Sequence, residues 1–155
     1  MENDGFRKVR SYIQTGNLVL ETDLPPSAVS EKIQNLIREH IHADLSVIVK
    51  RAREIHDVLC ENPFTEEGYD ISRIFYSLSN QEIPLSKAQV ITDYDCCKEC
   101  FAYTTKACYM YLPKDASRSK LNNNFLEKKL DITMTTRNRN TLTRLLEIAS
   151  DAARL

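Results

Sequence analysis

Basic side chains lie at two places where a β-branched stretch gives way to a helical one. Residues 137–140 are Arg-Asn-Arg-Asn, between DITMTT and the leucine-rich TLTRLLEIA. Residues 50–53 are Lys-Arg-Ala-Arg, between SVIV and EIHDVL. The first turn of a helix has backbone N–H groups without intrahelical partners and a partial positive charge, so it binds phosphate readily. The two basic groups therefore predict an anion site at the start of these helices.

Charge is distributed unevenly along the chain. The formal net charge is −1, yet residues 117–155 carry eight Lys or Arg against four Asp or Glu. A local excess of this kind attracts phosphate or acidic surfaces, although a solvated helix face has a similar composition. The candidate anion-binding residues are Lys50, Arg51, Arg53, Lys120, Arg137, Asn138 and Arg139.

The two basic groups belong to an internal repeat. Each half of the chain has the pattern hairpin, helix, short strand, helix. At an offset of 87 positions, residues 49–53 fall on 136–140, and Ile55, Val58 and Leu59 fall on Leu142, Leu145 and Leu146. Such a match predicts two similar α+β units packed together.

In the first half, strands are predicted at 8–14 and 17–22, on either side of a Thr15-Gly16-Asn17 turn that tolerates positive φ. A further strand is predicted at 45–50. The helix between them begins after two prolines, with Ser27 as its N-cap. Its apolar positions recur on one face and are Val29, Ile33, Leu36, Ile37 and Ile41.

In the second half, strands are predicted at 72–78 and 131–136, with an aromatic-rich hairpin at 100–113 between them. Asn138 is the predicted N-cap of the final helix. The hairpin tyrosines Tyr103, Tyr109 and Tyr111 are of a type that stacks on nucleic-acid bases, or that forms cross-strand pairs within a core.

Four motifs, SYIQTGNLVLE, NPF, RSKLNNNFLEKKL and TTRNRNTLTRLLEIA, resemble those of a bacterial family called domain of unknown function 1697. The resemblance covers nearly the whole chain and keeps the order of the motifs. It implies two ferredoxin-like α+β units in a small cytoplasmic protein, with no settled activity. The positions that match the family motifs are Tyr12, Gln14, Gly16, Asn17, Ser119, Lys120, Leu121, Arg137 and Asn138. Arg139 stands where the family usually has tryptophan.

Family members usually open with further residues, including a strand and a glycine-rich loop. The resemblance therefore implies an incomplete first half at 1–65 and a complete second half at 70–155, or one continuous globular domain. In a ferredoxin-like sheet, the absent first strand would lie between 45–50 and 17–22. Because unpaired strand edges are templates for other strands, 45–50 is predicted to pair directly with 17–22, to borrow a strand from a neighbouring molecule in a homo-oligomer, or to stay poorly ordered.

Cysteine chemistry is a further candidate, because Cys97-x-x-Cys100 is half of a zinc motif. A closed zinc site needs four ligands, and neither a second CxxC nor a nearby histidine pair is present. No metal is therefore predicted, and the five cysteines, Cys60, Cys96, Cys97, Cys100 and Cys108, are expected to be reduced thiols. With no secretory signal and no apolar run of bilayer length, the chain is predicted to be cytoplasmic and not membrane-bound.

These observations predict a module without a cofactor that binds a phosphorylated metabolite or a nucleic acid at the basic strand–helix joints. The first alternative is a small enzyme of unknown reaction that uses the family's glycine loop with Lys120 and Arg137. The second is an oligomeric interaction protein without a small ligand. A deep pocket lined by Lys120 and Tyr12 would favour the enzyme. The sequence has none of the common nucleophile, P-loop or zinc-protease motifs, and it leaves the question of catalysis open.

Overall fold

The computed structural model describes residues 4–12, 16–92, 99–115 and 119–154, which form two β-sheets and five α-helices. In chain order these elements are β1 (Arg7–Tyr12), β2 (Asn17–Glu21), α1 (Pro26–Ile41), α2 (Ala52–Cys60), β3 (Ile74–Leu78), α3 (Leu85–Thr92), β4 (Cys100–Tyr103), β5 (Cys108–Tyr111), α4 (Asn123–Leu130), β6 (Thr135–Asn138) and α5 (Arg139–Arg154). The α+β class predicted from the sequence is confirmed.

The first sheet is the antiparallel pair β1–β2, in which Tyr12 lies opposite Asn17. Gly16 precedes β2 with a φ of +70°, a conformation that glycine adopts without steric cost. Residues 13–15, including Gln14, lie outside the described part of the chain. One face of this hairpin packs on α1, where Phe6, Val29 and Ile33 form a small core.

The second sheet has four antiparallel strands in the order β4-β5-β3-β6. Because side chains alternate along a strand, its two faces pack against different helices. Ile74, Tyr76 and Leu78 of β3 join α2 and α5 in one core. On the opposite face, Cys108 and Met110 of β5 join α3 and α4 in another.

The predicted strand at 45–50 is wrong, since residues 42–51 have no regular secondary structure. Side chains, and not a neighbouring strand, form hydrogen bonds with the backbone of this segment. Asn80 donates from Nδ2 to Val47 O and accepts from Val49 N, both at 2.8 Å. Ser30 Oγ also donates to Val47 O at 2.7 Å. The segment is therefore held in place between two cores without belonging to a sheet.

Two element boundaries also differ from the prediction. Ser27 is not an N-cap, because α1 begins at Pro26 after Pro25 and has no side-chain cap. The fixed φ of proline suits the first helical position, where its missing N–H is not needed. The final strand begins at Thr135 and not at Asp131, because Asp131 takes a left-handed φ of 57° as the C-cap of α4.

Candidate anion site at the start of helix α5

Strand β6 passes directly into α5, with Asn138 as the last strand residue and Arg139 as the first helical one. Asn138 Oδ1 accepts a hydrogen bond of 2.9 Å from Thr141 N, so the predicted N-cap is confirmed. The first turn of α5 contains no acidic residue. The positive end of this helix is therefore capped by a neutral amide and bears no side-chain anion of its own.

Arg137 is a framework residue of this joint. Its Nε donates to Asn17 Oδ1 at 2.9 Å, and its Nη1 donates to Thr135 Oγ1 at 2.8 Å and to Thr136 O at 2.9 Å. Burial lowers the pKa of the Arg137 guanidinium. These bonds fix the plane of the guanidinium, so Arg137 joins the β1–β2 hairpin to the start of α5.

Tyr76 lies opposite Arg137 on the adjacent strand, so both side chains are on the same face of the sheet. The side chain of Tyr76 is completely buried, and its hydroxyl has no acceptor for its proton among the described residues. Burial raises the pKa of Tyr76, and the positive charge of Arg139 together with a hydrogen bond from its guanidinium opposes that rise. A guanidinium has donors only, so Arg139 provides no acceptor for the Tyr76 proton.

The neighbouring Tyr109 provides a comparison. Its ring meets that of Tyr76 edge to face, with centroids 5.6 Å apart. The Tyr109 hydroxyl donates to Val58 O at 3.0 Å, as a buried hydroxyl normally does. The start of α5 therefore has two side-chain donors, Tyr76 and Arg139, beside the positive end of a helix.

The equivalent joint at the start of α2 is organised differently. Glu54 Oε2 accepts from Arg51 N at 2.8 Å, and Lys50 Nζ lies 3.9 Å from Glu54 Oε1. A carboxylate of the chain therefore already occupies the first turn of α2. Arg51 and Arg53 are exposed at the start of α2.

Lys120 is exposed and lies in the bend before α4. Ser119 Oγ donates to Leu121 O at 3.0 Å, and Leu121 is buried in the core that α4 shares with α3. This core is on the opposite face of the four-stranded sheet from Tyr76. Ser119 and Leu121 thus have a local structural role.

The sequence profile of a family described as "Protein of unknown function (DUF1697)" matches residues 1–109. The chain belongs to the DUF1697 family. This confirms the resemblance predicted from the motifs. The matched range includes Asn17 and Tyr76, whereas Arg137 and Arg139 follow it.

A solved structure of a conserved bacterial protein from Streptococcus pneumoniae is similar to this DUF1697 chain. The TM-score is 0.71 at 15% sequence identity, and the likeness covers 96% of this chain and 83% of the other. At that identity the likeness shows the fold alone. A comparison with curated proteins found no match.

Within this DUF1697 chain, residues of two of the motifs noted in the sequence meet in space. Asn17 follows the hairpin turn, and Arg137 precedes the final helix, yet their side chains form a hydrogen bond. Tyr12 lies opposite Asn17 in the hairpin. Sequence reasoning missed Tyr76, because it lies in the stretch IFYSL, whose pattern indicates a buried strand. The available signal was the tyrosine hydroxyl, which needs a hydrogen-bond partner when the strand is buried.

The cysteines of the hairpin face different cores. Cys108 is buried on the side of α3 and α4, whereas Cys100 packs on the side of α2 and α5. Burial raises the pKa of the Cys108 thiol to about 12. The sheet separates these two sulfurs, so they cannot bind one metal ion together. Cys96 and Cys97 lie outside the described residues, and within those residues no three metal-ligating side chains cluster.

The described surface includes two clefts of several hundred cubic ångströms. One, of about 400 Å³, lies between α1 and α2 and includes Lys50, Glu54 and Asn80. The other, of about 480 Å³, runs along α5 and includes Arg144, Glu147 and Asp151. Neither of these two includes Lys120 or Tyr12, which would line the deep pocket that favours the enzyme alternative. No helix in the described ranges is long and apolar enough to cross a membrane.

Proposed function

We propose that this protein binds an anionic ligand, through a phosphate-like group, at the joint between β6 and α5. The observation that supports the proposal is the buried Tyr76 hydroxyl, which lacks an acceptor within the described chain and lies near Arg139. Leaving a buried polar group unsatisfied costs about 1–3 kcal/mol. An anionic oxygen held by Arg139 would remove that cost and would also benefit from the positive end of α5.

The surrounding residues suit this role. Asn138 caps Thr141 N with a neutral amide, so an incoming anion would meet no carboxylate in the first turn. Arg137 is held by several hydrogen bonds and keeps the joint rigid. The α2 joint is a poorer candidate, because Glu54 already provides the negative charge there.

Titration with inorganic phosphate, followed by calorimetry and by the amide NMR signals of Asn140 and Thr141, tests this proposal. Tyr76→Phe should weaken binding by about 10-fold, because it removes one hydrogen bond to a charged acceptor. Tyr109→Phe is the matched control, since its hydroxyl already donates to Val58 O and should not affect the affinity. Equal phosphate affinity in wild type and Tyr76→Phe would contradict the role of Tyr76.

A second pair of variants examines the charge. Arg139→Ala should abolish phosphate binding, whereas Arg53→Ala removes an exposed arginine from the first turn of α2 and should leave it unchanged. Equal losses in both variants would indicate a general effect of net charge. No detectable phosphate binding by the wild type at low salt would refute the proposal.

We also propose that residues 70–155 form a ferredoxin-like unit and that residues 1–65 are a related, incomplete one. The order β4-β5-β3-β6, with its β-α-β-β-α-β connectivity, supports this for the second unit. The helices α2 and α5 begin at Ala52 and Arg139, which the sequence repeat makes equivalent. Their apolar residues Ile55 and Leu142 share one core.

A further inference from the structure

We infer that His56 and Cys60, at the C-terminal end of α2, together chelate one Zn²⁺ ion. The two residues are four positions apart, so they lie on the same face of the helix. Cys60 Sγ is 3.8 Å from both ring nitrogens of His56. The inference is independent of the anion site proposed above, because it uses other residues and a ligand of opposite charge.

The distance between the two side chains is close to that of a chelate. Zinc binds a thiolate sulfur at about 2.3 Å and an imidazole nitrogen at about 2.0–2.1 Å, usually in tetrahedral geometry. A sulfur and a nitrogen bound to one ion are therefore about 3.6 Å apart. Since Cys60 Sγ is equally far from both nitrogens, a rotation of the His56 ring about its Cβ–Cγ bond directs one of them to the ion.

Both side chains are accessible to an ion from solvent. The His56 side chain is 67% exposed, and Cys60 is an exposed free thiol. The ring can therefore rotate, and an ion can enter, without displacing any residue of the cores. Cys108 is completely buried and has no such access.

The charges around the pair favour a cation. The last turn of α2 contains no basic residue, so the helix itself does not neutralise the partial negative charge at its end. Asp57 Oδ1 lies 3.8 Å from His56 Nδ1, and Glu61 follows Cys60 as the C-cap. Lys106 opposes this effect, because it forms ion pairs with both carboxylates. Two carboxylates and one ammonium leave a net negative charge beside the pair.

The two ligand types determine the class of metal. A thiolate with an imidazole suits zinc and cadmium, whereas Mg²⁺ and Ca²⁺ prefer oxygen ligands. On binding, the thiol proton passes to the solvent and the sulfur coordinates the ion as a thiolate. Because two protein ligands do not close a tetrahedral site, water completes the coordination and the ion exchanges with solvent. Dialysed protein should therefore retain little of it.

Titration of the dialysed, reduced protein with Zn²⁺ by calorimetry, and with Cd²⁺ by its ultraviolet thiolate-to-metal absorption, tests the inference. Cys60→Ser should lower the number of bound ions by one per chain. All other cysteines are present in both proteins, so the difference isolates Cys60. An unchanged number of bound ions in Cys60→Ser would overturn the inference.

Histidine variants test the second ligand. His56→Ala should weaken the binding of this ion by at least about 10-fold, because it removes one of two protein ligands. His40→Ala is the matched control, since His40 is also exposed on a helix, and it should leave the affinity unchanged. Zinc should shift the imidazole NMR signals of His56 and not those of His40. Equal affinity in wild type and His56→Ala would also overturn the inference.

A further variant tests the electrostatic argument. Lys106→Gln removes the positive charge that neutralises Asp57 and Glu61. It should strengthen Zn²⁺ binding a few-fold at low salt, and the gain should decrease as salt screens the charges. Mg²⁺ in excess should not displace Zn²⁺ from the wild type. Displacement by Mg²⁺ would show that carboxylates, and not the thiolate and imidazole, hold the ion.

Discussion

Arg137 and Asn17 are 120 positions apart in the chain, and their side chains form a hydrogen bond of 2.9 Å between Nε and Oδ1. The bond joins the start of β2 to the end of β6. At the far end of α5, Lys8 Nζ donates to Ala152 O at 2.6 Å. The β1–β2 hairpin is thus attached to both ends of α5, so the small sheet and the final helix stabilise each other.

Substitution of Asn17 should show this coupling. Asn17→Ala removes the acceptor from a half-buried guanidinium and should lower the free energy of unfolding by about 1–2 kcal/mol. In a double-mutant cycle with Arg137→Ala, the losses should be clearly non-additive in urea denaturation. Asn124→Ala, on an exposed position of α4, is the control and should change stability by less than about 0.5 kcal/mol. Additive losses would mean that the bond contributes little.

The two buried tyrosines should respond in opposite ways to loss of their hydroxyl groups. Tyr76→Phe removes an unsatisfied hydroxyl, so stability without ligand should stay the same or rise by up to about 1 kcal/mol. Tyr109→Phe leaves Val58 O without its donor and should lose about 1 kcal/mol. Thermal and urea unfolding of both variants provides the measurement. A clear loss of stability in Tyr76→Phe would show that its hydroxyl has an acceptor in the protein.

Stability should fall in alkaline solution. Burial raises the pKa of Cys108 from an ordinary value of 9.0 to about 12, and that of Tyr109 from 10.0 to about 12. The folded state therefore keeps protons that the unfolded chain releases. This stabilisation is complete below pH 9 and is lost as the pH rises from about 9 to 12. Each group contributes at most about 1.4 kcal/mol per pH unit.

Urea unfolding at pH 8, 9 and 10 tests this dependence. Cys108→Ala should reduce the slope of the unfolding free energy against pH, because one of the ionising groups is removed. Cys60→Ala is the control, because Cys60 is exposed and should leave the pH dependence unchanged. An identical slope in wild type and Cys108→Ala would contradict the role of the buried thiol.

The hairpin cysteines should bind no structural metal. Cys100 and Cys108 pack on opposite faces of the four-stranded sheet, so one ion cannot reach both sulfurs. Elemental analysis of the purified protein should therefore find far less than one zinc per chain. One zinc per chain that is lost in Cys108→Ser would show that this geometry is wrong.

Elements specified by local sequence were predicted well. Gly16 and Asn17 indicate the first hairpin, and the Asn138 cap follows from its position before an apolar helix. The segment 45–50 has the β-branched composition of a strand, but a strand also requires a partner. Local sequence does not show that the partner is the side chain of Asn80, which is more than 30 positions away.

The candidate site was only partly predictable for a similar reason. The composition around Arg137 and Arg139 indicates a basic helix start, and the structure places both residues at that point. The importance of Tyr76 depends on the packing of α5 over β3, which removes its hydroxyl from water. The difference between the two joints depends on Glu54, which accepts a hydrogen bond from Arg51 N. The residue type alone does not show this contact, because it depends on the conformation of the Glu54 side chain.

Deamidation of Asn80 would change the hydrogen bonds that hold residues 47–49. Its amide donates from Nδ2 to Val47 O and accepts at Oδ1 from Val49 N. Slow deamidation would convert this group to a carboxylate, which accepts hydrogen bonds but cannot donate them. The new oxygen would face the Val47 carbonyl, with Ser30 as the remaining donor. Ageing of one side chain would thus loosen the connection between α1 and α2.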